Sequence, residues 1–224
     1  MTSPRSESQR DIWANYAGKG AAYFGSERAD YVAELPQDAN VLEIGCGSGA
    51  TGELALSLGR AATYCGVELE PSAGMSAAAK LTEVIVGDVE AIDLPWTPGS
   101  FDALILSEVL EHLRDPWATL SKVRPLLSPG AVVYASSPNV AHQRIIRMLI
   151  AGDWRLEKEG PMDATHLRWF TPSSYAAMFA ECGFVVDIVQ PLSPLTTKQR
   201  IISALTRRPH LFWWQIDLRA HVPS

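Results

Sequence analysis

The chain has 224 residues, with 19 Lys and Arg against 25 Asp and Glu, which gives a formal net charge of −6. Hydrophobic residues make up 47% of it, a content that excludes wholesale disorder and is enough for one sizeable domain. The acidic balance counts against a non-specific nucleic-acid binder, because such proteins normally carry a basic surface.

Cysteine usage and the N-terminus indicate a cellular location. Cys46, Cys65 and Cys182 are far apart and form no Cys-x-x-Cys pair, so we expect free thiols in a reducing compartment. The polar first ten residues lack the apolar core of a signal peptide, and no apolar run approaches the roughly 20 residues that span a bilayer. We therefore expect a soluble, cytoplasmic protein. No pattern in the sequence indicates its oligomeric state.

The first 35 residues differ in pattern from the rest of the chain. Residues 1–10 are polar and predict a frayed tail. Residues 11–35 place aromatic and aliphatic side chains at mixed helical spacing, which predicts one or two helices, broken near Gly18 and Gly20 and ending before Pro36. We expect this N-terminal segment, 1–35, to form a tail and a helical lid.

Residues 36–224 have the pattern of one domain in which short apolar strands alternate with helices. The predicted strands are 40–44, 63–68, 83–86, 101–106, 131–135, 184–189 and 211–222. The predicted helices are 51–58, 72–80, 109–113, 117–126, 140–150 and 173–181. Such alternation is typical of an α/β fold whose parallel sheet is covered on both faces. Two inserts interrupt it, at 136–172 and at 191–209, and we expect the second to be a connecting excursion.

A glycine-rich turn, Gly45-Cys-Gly47-Ser-Gly49, follows the first predicted strand. Glycines there allow a tight turn and let ligand atoms approach the backbone. The same residues, with Ala50, also satisfy the dinucleotide-binding fingerprint, and Glu68 at the end of the second strand would bind a ribose in either case. The turn alone is therefore also compatible with a nicotinamide-dependent enzyme.

Acidic residues at several strand ends help to decide which kind of ligand the glycine turn would bind. Glu43 lies at the end of a buried strand, where a carboxylate needs a cationic or amide partner. Asp88 follows the third strand in Gly-Asp-Val, where it can accept a hydrogen bond from an exocyclic amine. The fourth strand runs into Ser-Glu-Val-Leu-Glu-His at 107–112. Together with Val67-Glu68, Phe101-Asp102 and residues 126–130, these motifs resemble the class I S-adenosylmethionine-dependent methyltransferases, in the same order, over about residues 40–135.

The resemblance implies a fold, a cofactor and a set of binding residues. The fold is a Rossmann-like, seven-stranded, mostly parallel sheet with helices on both faces and an antiparallel last strand, and the cofactor is S-adenosyl-L-methionine. Glycines would line its methionine part, Glu68 would hold the ribose, Asp88 and the Val89 amide would read the adenine, and Arg28 would pair with the carboxylate. The full implied set is Arg28, Glu43, Gly45, Gly47, Gly49, Glu68, Leu69, Asp88, Val89 and Ser107.

A metal constellation follows the fourth strand. Glu108, Glu111 and His112 are spaced i, i+3 and i+4, which places them on one side of a helix, and a bound cation would relieve the crowding of two carboxylates. Residues 108–112 and the segment around His166 resemble two subfamilies, the quinone-biosynthesis O-methyltransferases and the small-RNA 3′-end 2′-O-methyltransferases. In those, two Glu and two His are associated with a divalent metal, which implies Mg²⁺ or another divalent cation at Glu108, Glu111, His112 and His166.

The same Glu-x-x-Glu-His pattern also occurs in methyltransferases with no demonstrated metal. In that case His112 or His166 becomes the candidate general base, with Glu111 beside it. Either alternative supplies a way to deprotonate a hydroxyl, which favours O-methylation over methylation of an amine or a thiol.

The acceptor is expected to be a small phenol, quinol or sugar. Its walls should come from outside the alternating core, where aromatic residues could stack on a ring or pack a lid: Trp13, Tyr16, Tyr23, Phe24, Trp154, Trp169 and Phe170. A terminal RNA 2′-O-methyltransferase is an alternative, favoured by a local basic group but not by the net charge: Lys198, Arg200, Arg207 and Arg208. An NAD-dependent oxidoreductase and a non-catalytic partner subunit are the other hypotheses.

Overall fold

A computed structural model describes residues 23–224. The predicted tail at 1–10 and the first part of the predicted lid, including Trp13, Tyr16 and the glycine breaks, lie outside the described residues. Within the segment predicted as a lid, the described residues form a 3-10 turn, Tyr23–Gly25, and a helix α1, Ala29–Glu34. The helix ends two residues before Pro36, which fits the predicted boundary.

The described chain builds a seven-stranded sheet, which confirms the predicted fold class. Its strands are β1 Ala39–Ile44, β2 Ala61–Glu68, β3 Glu83–Val86, β4 Phe101–Ser107, β5 Leu127–Pro138, β6 Val185–Pro191 and β7 Gln215–His221. The strand order is β3-β2-β1-β4-β5-β7-β6. Strand β7 pairs antiparallel with both β5 and β6, while all pairs among β1 to β5 are parallel. The last strand is therefore antiparallel, as the resemblance implied.

Helices cover both faces of the sheet. After α1 they are α2 Ala50–Ser57, α3 Pro71–Ala78, α4 Pro116–Val123, α5 Gln143–Ile150, α6 Pro172–Glu181 and α7 Thr197–Thr206. Successive strand residues point to opposite faces, so the neighbours Leu104 and Ile105 of β4 belong to two separate hydrophobic clusters and are both fully buried. No helix among residues 23–224 is long and apolar enough to span a membrane.

Three segments differ from their predicted form. The excursion at 191–209 contains helix α7, which the sequence reading missed because three prolines surround it. Those prolines, Pro191, Pro194 and Pro209, lie outside the helix, and Thr196 and Gln199 form a capping box at its start. The predicted helix at 109–113 is only a 3-10 turn, Leu110–His112, and the last strand begins at Gln215 rather than at 211.

A buried charged group fastens α1 to the last strand. The Tyr31 hydroxyl donates to Asp217 Oδ1 at 3.0 Å, and Arg219 pairs with both Asp217 and Glu34. The Arg219 guanidinium also lies 4.6 Å from the centre of the Tyr31 ring. Since Arg28 immediately precedes α1, this group also determines where Arg28 stands relative to the sheet.

Candidate functional site

A cavity of about 370 Å³ opens at the carboxyl end of the parallel strands. Ligands bind at this edge in open α/β sheets. All but one of the predicted cofactor-binding residues line it, namely Arg28, Glu43, Gly45, Gly47, Glu68, Leu69, Asp88, Val89 and Ser107. The predicted metal and catalytic residues line the same cavity: Glu108, Glu111, His112 and His166.

Glu68 holds the glycine turn at the floor of the cavity. Its Oε2 accepts from the Gly47 backbone N–H at 2.8 Å, and its Oε1 accepts from the Glu70 N–H at 2.8 Å. Gly47 has a φ of +54°, and a Cβ there would lie 2.4 Å from the Phe24 carbonyl oxygen. Position 47 therefore needs glycine for two reasons: its backbone conformation and its close approach to the backbone of Phe24.

Gly49 is the predicted cofactor residue that does not line the cavity. It precedes α2 with a φ of +81°, and a Cβ on it would lie 3.0 Å from the Ala77 Cα of α3. Its glycine serves the packing of α2 against α3 and the left-handed entry into α2. The spacing of the three glycines does not distinguish this role from ligand contact.

Glu43 is buried beneath the turn, with 3% of its surface exposed. The Tyr64 hydroxyl donates to its Oε2 at 2.8 Å. Burial is the main cause that raises the pKa of the Glu43 carboxyl to about 8. The Tyr64 hydrogen bond opposes this rise, and the nearby Glu68 carboxylate adds to it. A cationic ligand in the cavity would favour the charged form of this carboxyl.

Arg28 reaches from the start of α1 to the end of β4. Its Nη1 donates to Ser107 Oγ at 2.7 Å and to Ser136 Oγ at 3.1 Å, while Nε and Nη2 bind the two carboxylate oxygens of Asp30 at 2.9 and 2.8 Å. Its guanidinium also lies 3.4 Å from the centre of the Tyr31 ring. The structure therefore brings Arg28 and Ser107 into contact at the cavity wall.

Asp88 stands at the opposite end of the cavity and already has a cationic partner. Its Oδ2 pairs with Arg114 Nη2 at 2.9 Å, and its Oδ1 accepts from the Glu90 N–H at 2.9 Å. Arg114 also pairs with the Glu90 carboxylate at 3.1 Å. Neither Arg114 nor Glu90 carried a signal in the sequence, since a single arginine on a loop is usually a surface residue.

Three of the four predicted metal residues form one cluster. Ligand atoms of Glu111, His112 and His166 all lie within 4.8 Å of one another, and the two imidazole rings are 4.7 Å apart between centroids. Glu108 lies outside this cluster. It adopts a left-handed φ of +54°, so the chain from 108 to 112 is not the regular helix that the i, i+3, i+4 spacing assumed.

The Glu111 carboxylate is almost completely buried, at 1% exposure. Neither of its oxygens makes a hydrogen bond of normal geometry among the described residues, and the same holds for Glu108 Oε1. Burial raises the pKa of the Glu111 carboxyl well above its usual range, and the neighbouring Glu108 carboxylate raises it further. The nearby Ser137 hydroxyl lowers the pKa of the Glu111 carboxyl, but burial outweighs this effect. Buried polar atoms without partners are costly, and a bound cation or an acceptor hydroxyl would satisfy these.

The loop that carries His166 is tied to the segment after β4. Glu111 O accepts from the N–H groups of Leu167 and Arg168 at 2.8 and 3.0 Å. His112 Nδ1 lies 3.3 Å from Thr165 O, and His166 Nδ1 lies 3.3 Å from Pro161 O. The Thr165 hydroxyl oxygen also lies 3.2 Å from His112 Nδ1. A carbonyl only accepts, so a neutral ring that bonds to one of these carbonyls carries its hydrogen on Nδ1 and is basic at Nε2.

Other residues of the site were not predicted individually. Asp163 is buried, and its Oδ1 accepts from the Thr165 hydroxyl and N–H at 2.8 and 2.9 Å, which shapes the loop before His166. The Asp-x-Thr spacing is a signal for such an Asx turn. Among the aromatic residues expected around the acceptor, Phe24 lines the cavity, whereas Trp154 and Trp169 pack on each other at 5.4 Å. Trp214 also lines the cavity.

The family model for the methyltransferase domain matches residues 16–188. Three similar proteins are each called ubiquinone biosynthesis O-methyltransferase. The one from Thiobacillus denitrificans is 27% identical over 168 residues, covering 72% of each chain. The one from Pseudoalteromonas translucida is 28% identical over 178 residues, covering 74% of this chain and 73% of the relative. The one from Xanthomonas campestris is 36% identical over 118 residues, which is 50% of this chain but only 49% of that protein.

Solved structures share the fold at low sequence identity. An S-adenosylmethionine-dependent methyltransferase from Mesorhizobium loti superimposes with a TM-score of 0.61 at 19% identity, covering 90% of this chain and all of the other. A methyltransferase of the same dependence from Archaeoglobus fulgidus gives 0.62 at 17% identity, covering 95% and 94% of the two chains.

Replacing Glu43 by Gln should change how stability depends on pH in the cofactor-free protein. The folded-state pKa of about 8 lies above the ordinary value of 4.5, so the stability from this group is complete below pH 4.5 and is lost as the pH rises through 8. We expect Glu43→Gln to be more stable than the wild type by about 4 kcal/mol at pH 9 and by less than about 1 kcal/mol at pH 5. Urea unfolding at both pH values measures this difference in stability.

Glu53→Gln, at an exposed position, is the control. Identical pH profiles for Glu43→Gln and the wild type would refute the raised pKa of Glu43.

Proposed function

The chain belongs to the methyltransferase domain family and is an S-adenosylmethionine-dependent methyltransferase, and we propose that it methylates a hydroxyl group of a small molecule, such as a phenol, a quinol or a sugar. The name shared by its relatives supports an oxygen acceptor. The observation that carries the proposal is the cluster of Glu111, His112 and His166 in the same cavity as the glycine turn. The family membership decides against a nicotinamide-dependent oxidoreductase.

The cofactor is proposed to lie along the cavity from Arg28 to Asp88. Gly45 and Gly47 would border the methionine part, with Arg28 and Ser107 at its carboxylate end and Glu43 beneath it. The ribose would bind at Glu68 and Leu69. The adenine would lie against Asp88 and Val89. The acidic floor suits this ligand, because a sulfonium cation offsets the cost of ionising buried carboxyls.

The reaction needs alignment and removal of a proton. When bound, the sulfonium cofactor would supply a methyl group for displacement by the acceptor oxygen, with a neutral thioether as the leaving group. The acceptor proton would pass to the Nε2 of His112 or His166, whose Nδ1 atoms face backbone carbonyls. Glu111 and His166 are buried beside the cavity, and a bound acceptor would exclude water from them, which would strengthen these interactions.

The cluster fits a divalent cation. Two imidazole nitrogens and a carboxylate oxygen are a donor set that suits Zn²⁺, Mn²⁺ or Fe²⁺ better than Mg²⁺, which prefers oxygen ligands. The Glu111 oxygens, which are buried without a hydrogen bond, support a cation site at this point. We propose that Glu111, His112 and His166 would hold the ion, with Glu108 outside this set. When bound, such a cation would orient the acceptor oxygen and lower the pKa of its hydroxyl.

A methyl-acceptor screen tests the proposed function. The protein is incubated with methyl-labelled cofactor and a panel of catechols, quinols and sugars, with amines and thiols as the comparison set. Short RNA joins the panel because Lys198, Arg200, Arg207 and Arg208 are all exposed at and after α7. We expect methyl ethers of small hydroxyl compounds, identified by mass spectrometry. Transfer only to amines or thiols, or only to RNA, would contradict the proposal.

Glu68→Ala should weaken binding of S-adenosylhomocysteine, the product form of the cofactor. The variant removes a carboxylate that would accept from two ribose hydroxyls and that also holds the Gly47 N–H. Hydrogen bonds to a charged group contribute about 1.5–3 kcal/mol, so we expect roughly a thirtyfold increase in Kd or more by calorimetry. Glu53→Ala, an exposed glutamate on α2, serves as the matched control. An unchanged Kd for Glu68→Ala would remove Glu68 from the cofactor site.

Glu111→Gln should weaken metal binding while the protein stays folded. The amide keeps the size of the side chain but loses its charge, and removal of one ligand should lower Mn²⁺ or Zn²⁺ affinity at least about tenfold. Metal analysis after dialysis and calorimetric titration both measure this, independently of activity. Glu159→Gln, on the exposed part of the loop, is the control. A wild-type protein that binds no divalent metal and works fully in chelator would leave His112 or His166 as the general base.

A further inference from the structure

A second group of contacts joins two parts of the cavity that are far apart in sequence. The Glu90 carboxylate, in the turn after β3, accepts from the Asp115 N–H at 2.7 Å and from the N–H and Nε of Arg114 at 3.1 Å each. Asp115 in turn caps helix α4 through Ala118 N. Residues 88–90, where the adenine is proposed to lie, are therefore fastened to the loop that follows the Glu111–His112 segment.

Arg114 also neutralises a pair of like charges. Its guanidinium binds Asp88 through Nη2 and Glu90 through Nε. These two carboxylates stand two residues apart in one turn, and without the cation between them they would repel each other. Asp88 keeps further acceptor capacity, because a carboxylate offers about four lone-pair sites and it accepts one hydrogen bond at each oxygen in the structure.

The connection continues beyond Arg114 to the loop that carries His166. The Arg114 carbonyl accepts from Arg168 Nη2. The Arg168 N–H donates to Glu111 O at 3.0 Å. A continuous series of polar contacts thus runs from Asp88 through Arg114 and Arg168 to the residues of the carboxylate–imidazole cluster.

We propose that Arg114 is a positioning residue that orients Asp88 toward the adenine and, through Arg168, couples cofactor binding to the order of residues 163–168. The proposal rests on the proposed placement of the adenine beside Asp88. A cofactor amine that binds Asp88 holds that carboxylate in the geometry that Arg114 also requires, so the loop after β4 and the contact to Arg168 are held with it. The acceptor side of the cavity would then be assembled most fully when the cofactor is present.

An arginine is required at position 114 for a geometric reason. Nε and Nη2 point to different carboxylates from one planar fork, whereas the single ammonium of lysine is a point donor. Lys at this position would preserve the charge but lose the simultaneous contact to Asp88 and Glu90. Arg114→Lys and Arg114→Met therefore separate the effect of charge from the effect of geometry.

Binding measurements test the first half of the proposal. We expect Arg114→Met to raise the Kd of both adenosine and S-adenosylhomocysteine by the same factor, up to about fivefold for an ion pair this exposed. Arg114→Lys should recover only part of the loss. Equal Kd values for wild type and Arg114→Met would overturn the positioning role, and so would full recovery by Arg114→Lys. Urea unfolding confirms that each variant is folded, and Arg155→Met, an exposed arginine paired with Asp153, is the control.

Hydrogen exchange tests the coupling. In the wild type, S-adenosylhomocysteine should slow amide exchange over both 88–92 and 163–168. In Arg168→Met the ligand should still protect 88–92, but its protection of 163–168 should fall. Because coupling is reciprocal, its Kd should rise slightly, by about twofold at most. Full ligand-dependent protection of 163–168 in that variant would overturn the coupling. Asp88→Ala tests the placement of the adenine separately from the role of Arg114. An unchanged adenosine Kd in this variant would reject the adenine placement and, with it, the role of Arg114.

Discussion

The cavity of this methyltransferase depends on one carboxylate, that of Glu68, which joins the ends of two parallel strands. It accepts from the Gly47 N–H after β1 and from the Glu70 N–H after β2, so it fixes the turn that separates the strand edge from α2. The fit is tight, because Gly47 approaches the Phe24 carbonyl too closely for any side chain. The other walls of the cavity surround this turn. Arg28 lines the α1 side, Asp88 lines the β3 side, and Glu111 lines the proposed acceptor side.

Electrostatics give the cavity its chemical character. Burial raises the pKa of Glu43, Glu108 and Glu111, so each of these carboxyls costs free energy to ionise in the empty protein. A cation in the cavity would offset this free-energy cost, since it favours the charged form of each carboxyl. Part of the acidic excess behind the net charge of −6 thus lies where we propose that the sulfonium cofactor binds.

The predictability of the site differed between residues for physical reasons. Strand-end residues such as Glu43, Glu68 and Asp88 were found because a parallel sheet places all of its carboxyl ends at one edge. Gly49 shared the glycine spacing but packs between helices, a difference that depends on where α3 lies. Arg114 was missed because its partners Asp88 and Glu90 are at least 24 residues away in the chain. The helix in the excursion after β6 was missed because prolines flank it, although its capping box was readable.

The amino-acid sequence by itself determined the alternation of strands and helices, the glycine turn and the acidic strand ends, because these depend on local periodicity and on backbone conformations that only glycine adopts readily. Only the tertiary structure decided which side chains meet. It placed His166 beside Glu111 and His112, gave Glu108 a left-handed backbone, and paired Arg114 with two distant carboxylates. Such contacts depend on the packing of separate segments against one sheet edge, and no spacing along the chain encodes that distance.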